Sequence, residues 1–272
     1  MCYISTMKKL ILLFFVVSLT IPLAAQNAEY YYLRGSVYYE KGDLDKAIDD
    51  FTKSIGLNPY DPNIYVDRGT AYHDKGDDDK AIEDFNKAIA MDPKIDTAWY
   101  GRGSAYQAKG NSDRALDDYT RAISLSPNNA AVYSDRGAVY LDRGEVDRAI
   151  ADFNRAITLD PYMDYVWVTR GEAYAATGDF DKAIADFTKA ISLDPNNDSV
   201  YLSRGEAYLE KGDADKALTD INKALSINPN QPAAWNDRAS AYMAKGDYEQ
   251  AIKDLDKAID LDPDGNYAPK QP

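Results

Sequence analysis

Histidine, cysteine and clustered carboxylates are the residues with which this chain could do chemistry, and they are few or badly placed. Its 272 residues contain one histidine, His73, and one cysteine, Cys2. A lone imidazole with no thiol and no second imidazole beside it makes neither a metal centre nor a nucleophile–base pair. The run Asp260-Leu261-Asp262-Pro263-Asp264-Gly265 opens like a calcium loop, with carboxylates first, third and fifth and glycine sixth. Its twelfth position, however, is Gln271 where a bidentate glutamate is needed, and Pro263 is interior. No phosphate loop, dinucleotide fingerprint or nucleophile elbow occurs. The expectation is no catalytic residue, no cofactor and no metal; an enzyme has no constellation to stand on.

Charge chemistry is better organised. Arginine stands at Arg34, Arg68, Arg102, Arg136, Arg170, Arg204 and Arg238, and aspartate at Asp50, Asp84, Asp118, Asp152, Asp186, Asp220 and Asp254. Both sets recur every 34 residues. To read what they do, the elements that carry them have to be placed.

Aligned on its Gly-Asp pairs, the chain from Ala28 to Gly265 divides without insertion into seven 34-residue units: 28–61, 62–95, 96–129, 130–163, 164–197, 198–231 and 232–265. Position 4 of the unit is always tyrosine or tryptophan, position 8 glycine except for Ala239, position 11 tyrosine, position 20 alanine and position 32 proline. Positions 4, 8 and 11 share one face of a helix, and positions 20, 24 and 27 share one face of a second. Glycine at position 15, Gly42 in the first unit, ends the first helix, and the acid or amide after it caps the next. Each unit therefore reads as an amphipathic helical hairpin that needs a neighbour to cover its aromatic face. Arginine at position 7 and aspartate at position 23 flank the two packed faces, so they are expected to meet between the helices as a partly buried, architectural ladder.

These residues resemble the tetratricopeptide (TPR) repeat, and the resemblance covers 28–265. It implies an all-α fold, a right-handed superhelical solenoid of helix-turn-helix repeats whose first helices line a concave groove. Carried over by position, the groove's acids are Glu40, Asp67, Asp74, Asp135, Asp142, Glu172, Glu206, Glu210 and Asp237, with His73 among them. Its aromatic and apolar groups are Tyr32, Tyr39, Tyr100, Leu141, Val168, Leu202, Leu209 and Met243, read here as residues that folding does not require. Such a groove implies a protein or peptide partner, with a basic or neutral segment preferred. Members of the family that clamp a chaperone's C-terminal carboxylate carry lysines and asparagines at groove positions where this chain has no lysine at position 5 and only Asn63 at position 2, so that clamp is not expected.

Composition and termini set the context. With 31 Lys plus Arg against 45 Asp plus Glu the formal net charge is -14, which argues against nucleic acid. Lys8 and Lys9, the apolar run from Leu10 to Leu19, and Leu23-Ala24-Ala25 before Gln26 have the order of a secretory signal over 1–25, with Met7 a more typical start. The apolar stretch is short of the roughly 20 residues of a spanning helix, so a membrane is met only if the signal is retained. The expected location is the bacterial periplasm, cell envelope or exterior. Residues 266–272, with two prolines, read as a short unstructured tail. No capping helix follows the seventh unit in the sequence, so Ile252, Leu255 and Ile259 are expected to be partly exposed, and self-association through that unit is the alternative reading.

Overall fold

The computed structural model describes residues 27–263. The expected signal (1–25), the tail (266–272) and the end of the calcium-like run lie outside the described residues. Those described form fourteen α-helices and no strand. In chain order they are α1 (Ala28–Glu40), α2 (Leu44–Leu57), α3 (Pro62–Asp74), α4 (Asp78–Met91), α5 (Asp96–Ala108), α6 (Ser112–Leu125) and α7 (Ala130–Asp142). There follow α8 (Val146–Leu159), α9 (Asp164–Ala176), α10 (Phe180–Leu193), α11 (Asp198–Glu210), α12 (Ala214–Ile227), α13 (Pro232–Ala244) and α14 (Tyr248–Leu261). Consecutive odd and even helices pack as seven hairpins. The chain divides into two compact units, one ending at Asn128 with α1–α6 and one beginning at Asn129 with α7–α14. Within each unit the hairpins stack as a solenoid of TPR type.

The hairpin is written into a few positions. Each turn between its helices passes through a glycine at φ between 74 and 85°, the left-handed region that other residues enter at a cost. The next residue caps the second helix: Asp43, Asn111, Asp179, Asp213 and Asp247 each accept a bond from the backbone N–H three residues on. Asp77 and Glu145 occupy the same place without that side-chain bond. A proline at position 32, Pro195 for example, follows each second helix closely and keeps it from extending.

Close packing explains the small residues. The position-20 alanines are essentially inaccessible, and the ring at position 24 (Phe51, Phe85, Tyr119, Phe153 and Phe187) is fully buried. Opposite that ring stands the glycine at position 8; a Cβ on Gly171 would lie 2.7 Å from the Phe187 ring. Only a residue without a side chain leaves room for the aromatic.

The Arg–Asp ladder is present in all seven hairpins as a bidentate pair. In the fifth, Arg170 Nε and Nη2 each donate to Asp186 at 2.7 Å; elsewhere the two bonds span 2.5 to 2.9 Å. The aspartates are buried, at 2 to 7 % exposure, and the guanidinium lies over the position-4 ring, 4.8 Å from that of Trp99 in the case of Arg102. Burial pushes the Asp50 carboxyl up, but bonds from Arg34 and Lys53 outweigh it and hold the group below the usual carboxylate range.

Candidate functional site

First helices of neighbouring hairpins touch directly within each unit, so their outward residues form a continuous strip. In the unit that ends at Asn128 the strip runs over α1, α3 and α5. Tyr39 Oη donates to Asp74 Oδ2 at 2.5 Å, and Tyr32 is hydrogen-bonded to Asp67. These tie α1 to α3 through two phenol–carboxylate pairs. Glu40 and Asp74 are exposed, while Asp67 is partly buried.

Electrostatically this strip is strained towards negative. Burial raises the Asp67 carboxyl above its ordinary range, the bond from Tyr32 opposes the rise, and the nearby Asp61 adds to it. Burial and the paired carboxylates push the phenols of Tyr32 and Tyr39 up to about 12, so both remain protonated donors. An acid held partly out of water beside another acid is a place where an incoming cation gains most.

In the unit that begins at Asn129 the strip runs over α7, α9, α11 and α13. Asp142, Glu172, Glu210 and Met243 are exposed, and Asp135, Leu141, Val168, Leu202, Glu206, Leu209 and Asp237 are partly buried. Sequence reasoning passed over Tyr165, an aromatic at 48 % exposure that is hydrogen-bonded to Ser134 and lies close to Asp135. Its signal was available: it is the one aromatic at position 2 of the repeat.

One reading of the strip needs correction. Six of the eight aromatic and apolar groups are not dispensable to the fold. Tyr32 packs on Phe51 with ring centroids 6.0 Å apart, Tyr100 on Tyr119 at 5.9 Å, and Tyr39 lies against the same core as Tyr32. Val168 covers the Phe187 core, and Leu202 and Leu209 cover the Ile221 core. A side chain at these positions is long enough to reach back over the neighbouring ring, so it serves packing as well as the surface. His73 Nδ1 lies 2.5 Å from Asp78 Oδ1 at the start of α4. Its imidazole is engaged across the turn of its own hairpin, which draws it towards that end of the strip.

Among the described residues no group of three or more His, Cys, Asp and Glu is arranged to hold a metal ion, and no helix is long and apolar enough to cross a membrane. What the arrangement offers chemically is a polar, acidic lining with phenol donors on rigid helices.

Comparison with known proteins gives concordant results. Family models described as tetratricopeptide repeat match residues 100–164 and 205–270, and one described as TPR repeat matches 35–76, 69–110 and 171–212. Among solved structures, that of MamA protein is similar at 26% identity and a TM-score of 0.60, over 63% of this chain and 93% of that one. A second is YrrB, described as a TPR protein with an unusual peptide-binding site, at 26% identity and a TM-score of 0.60, over 68% of this chain and 95% of that one. The C-terminal part of a TPR repeat-containing protein from Cytophaga hutchinsonii aligns with a TM-score of 0.71 over 86% of this chain and 96% of its own; at 20% identity it speaks for the fold alone. No curated protein sequence matches the chain.

Proposed function

This chain belongs to the tetratricopeptide-repeat family, a scaffold for protein–protein interaction, and from that premise we propose that it holds a basic or neutral polypeptide segment along the acidic faces of its first helices. The observation that carries the reading is the Asp67 cluster: a partly buried carboxylate whose neighbours are a phenol and another acid, with Asp74 and Glu40 exposed beside it. A lysine or arginine laid there neutralises a charge that burial disfavours, and the aromatic rings of Tyr32, Tyr39 and Tyr100 give its aliphatic stem a surface. That YrrB is described as having a peptide-binding site supports a peptide as the ligand. The signal-like 1–25 supports export, so the partner is sought in the periplasm or envelope.

The test is a capture from an envelope extract with the wild-type chain beside a variant carrying Asp67→Asn, Asp74→Asn, Glu206→Gln and Glu210→Gln. These isosteric changes leave the tyrosines that pack on the core in place, and circular dichroism checks the fold. A partner retained by the wild type, lost by the variant and rich in lysine or arginine where it is bound is the expected result. Equal capture by both chains would sink the groove reading.

A further inference from the structure

Four joints between consecutive hairpins, two in each unit, are made in one way. Positions 21, 24 and 28 of one second helix take positions 3 and 10 of the next first helix. Ile48, Phe51 and Ile55 thus take Ile64 and Ala71, and Ile82, Phe85 and Ile89 take Ala98 and Ala105. In the later unit Ile184, Phe187 and Ile191 take Val200 and Ala207, and Leu218, Ile221 and Leu225 take Ala234 and Ala241. Two polar contacts edge the joint. The third guanidinium nitrogen at position 7 reaches back to a threonine or asparagine at position 25: Arg68 Nη1 to Thr52 at 2.9 Å, Arg204 Nη1 to Thr188 and Arg238 Nη1 to Asn222 at 2.8 Å. The lysine at position 14 pairs with the aspartate at position 18 of the preceding hairpin, as Lys75 with Asp45, Lys109 with Asp79, Lys211 with Asp181 and Lys245 with Asp215.

The two end helices carry the halves of one more such joint. On α14, Ile252 and Ile259 stand at positions 21 and 28 with 59 % and 62 % exposure, Leu255 between them is half-buried, and Asp256 and Glu249 occupy positions 25 and 18. On the other side, α1 presents Tyr30 and Val37 at positions 3 and 10, Leu33 at 46 % exposure, and Arg34 at position 7, with Lys41 just after it at position 14. Arg34 Nη1, which in later hairpins reaches the preceding repeat, is turned onto its own Tyr30 at 3.2 Å. The charges match and are stronger than inside: Asp256 replaces the neutral threonine or asparagine that meets arginine elsewhere. The sizes match as well. In one inner joint Gly101 at position 6 makes room for the Phe85 ring, whereas at the ends Leu33 at position 6 would face Leu255, which is smaller than the ring at position 24 of the first five hairpins.

We propose that α14 of one copy receives α1 of a second copy through this joint, so that chains associate head to tail. The contact is heterologous: each copy gives one face and offers the other. It uses neither the acidic strip nor its ligand.

Sedimentation velocity on the full chain tests it. The wild type is expected to grow in mass with concentration. Ile252→Lys with Ile259→Lys blocks the α14 face, and Leu33→Lys blocks the α1 face; each variant alone is expected to stay monomeric. Mixed in equal amounts, the two are expected to form a dimer and nothing larger, since one open face remains on each. Glu249→Lys and Lys41→Glu are each expected to weaken association about fivefold, and the chain carrying both to recover it, because the swapped pair meets across the joint. A wild type that stays monomeric at all concentrations, as it would if residues 264–272 of the same chain covered α14, overturns the proposal. So does association that survives both blocking variants, or a mixture of the blocked chains that fails to pair.

Discussion

Asp186 is 4 % exposed and held by two nitrogens of Arg170, whose third nitrogen bonds Asn154 of the preceding hairpin. Removing the carboxylate leaves a guanidinium facing a dry wall, and the expected cost of Asp186→Ala is roughly 3–5 kcal/mol. Adding Arg170→Leu removes the stranded charge, so the double variant is expected to be more stable than Asp186→Ala alone; urea denaturation of both orders them. The ladder was legible in the sequence because both partners border an apolar stripe. Its third bond was not: whether position 7 reaches position 25 of the preceding hairpin depends on how the hairpins stack, which no spacing within one repeat encodes. At Asp67 the sign is opposite to that of Asp50. Its carboxyl is raised by burial, so the folded state holds its proton more tightly, and the stability present at acid pH is lost as pH rises through the folded pKa. Asp67→Asn, still able to accept from Tyr32, is therefore expected to raise the melting temperature at neutral pH and to make no difference below the carboxylate range.

The helical hairpin is the element the sequence specifies most completely, since turn glycine, cap, alanine and proline all point the same way. Its interior also shows a rule within the chain itself. Glycine at position 8 accompanies an aromatic ring at position 24 in the first five hairpins, whereas the seventh pairs Ala239 with Leu255. With 2.7 Å between a Gly171 Cβ and the Phe187 ring, Gly171→Ala overpacks the crossing and is expected to cost ~1–3 kcal/mol. Combining it with Phe187→Leu reproduces the seventh hairpin's pairing, and the expected result is a double variant less destabilised than the two single costs added, measured by chemical denaturation. The strip of candidate site residues was less legible at this scale. Position told which side chains leave the first helix outward, but Tyr32, Val168 and Leu202 bend back over adjacent cores, and only three-dimensional packing reveals that double duty.

Over the whole molecule the repeat period runs unbroken through residue 128, and for that reason nothing in the sequence marked the division into two units there. Net charge, by contrast, is legible at once: -14 is spread over a chain whose proposed ligand face is acidic and whose proposed end joint is mainly apolar. Salt separates the two activities. Steering of a basic segment to an acidic strip acts over distances comparable with the Debye length, about 10 Å at 0.1 M salt, and fades as that length shrinks. Burial of Ile252, Leu255 and Ile259 against Tyr30, Leu33 and Val37 is a hydrophobic contact edged by two ion pairs, and screening touches only its rim. Stopped-flow association of a lysine-rich peptide is therefore expected to slow steeply as salt rises while its dissociation rate changes little. Head-to-tail mass at equal protein concentration is expected to fall only modestly over the same series. A peptide whose association rate ignores salt would place its binding outside the acidic strip, on a surface where the chain's net charge does no steering.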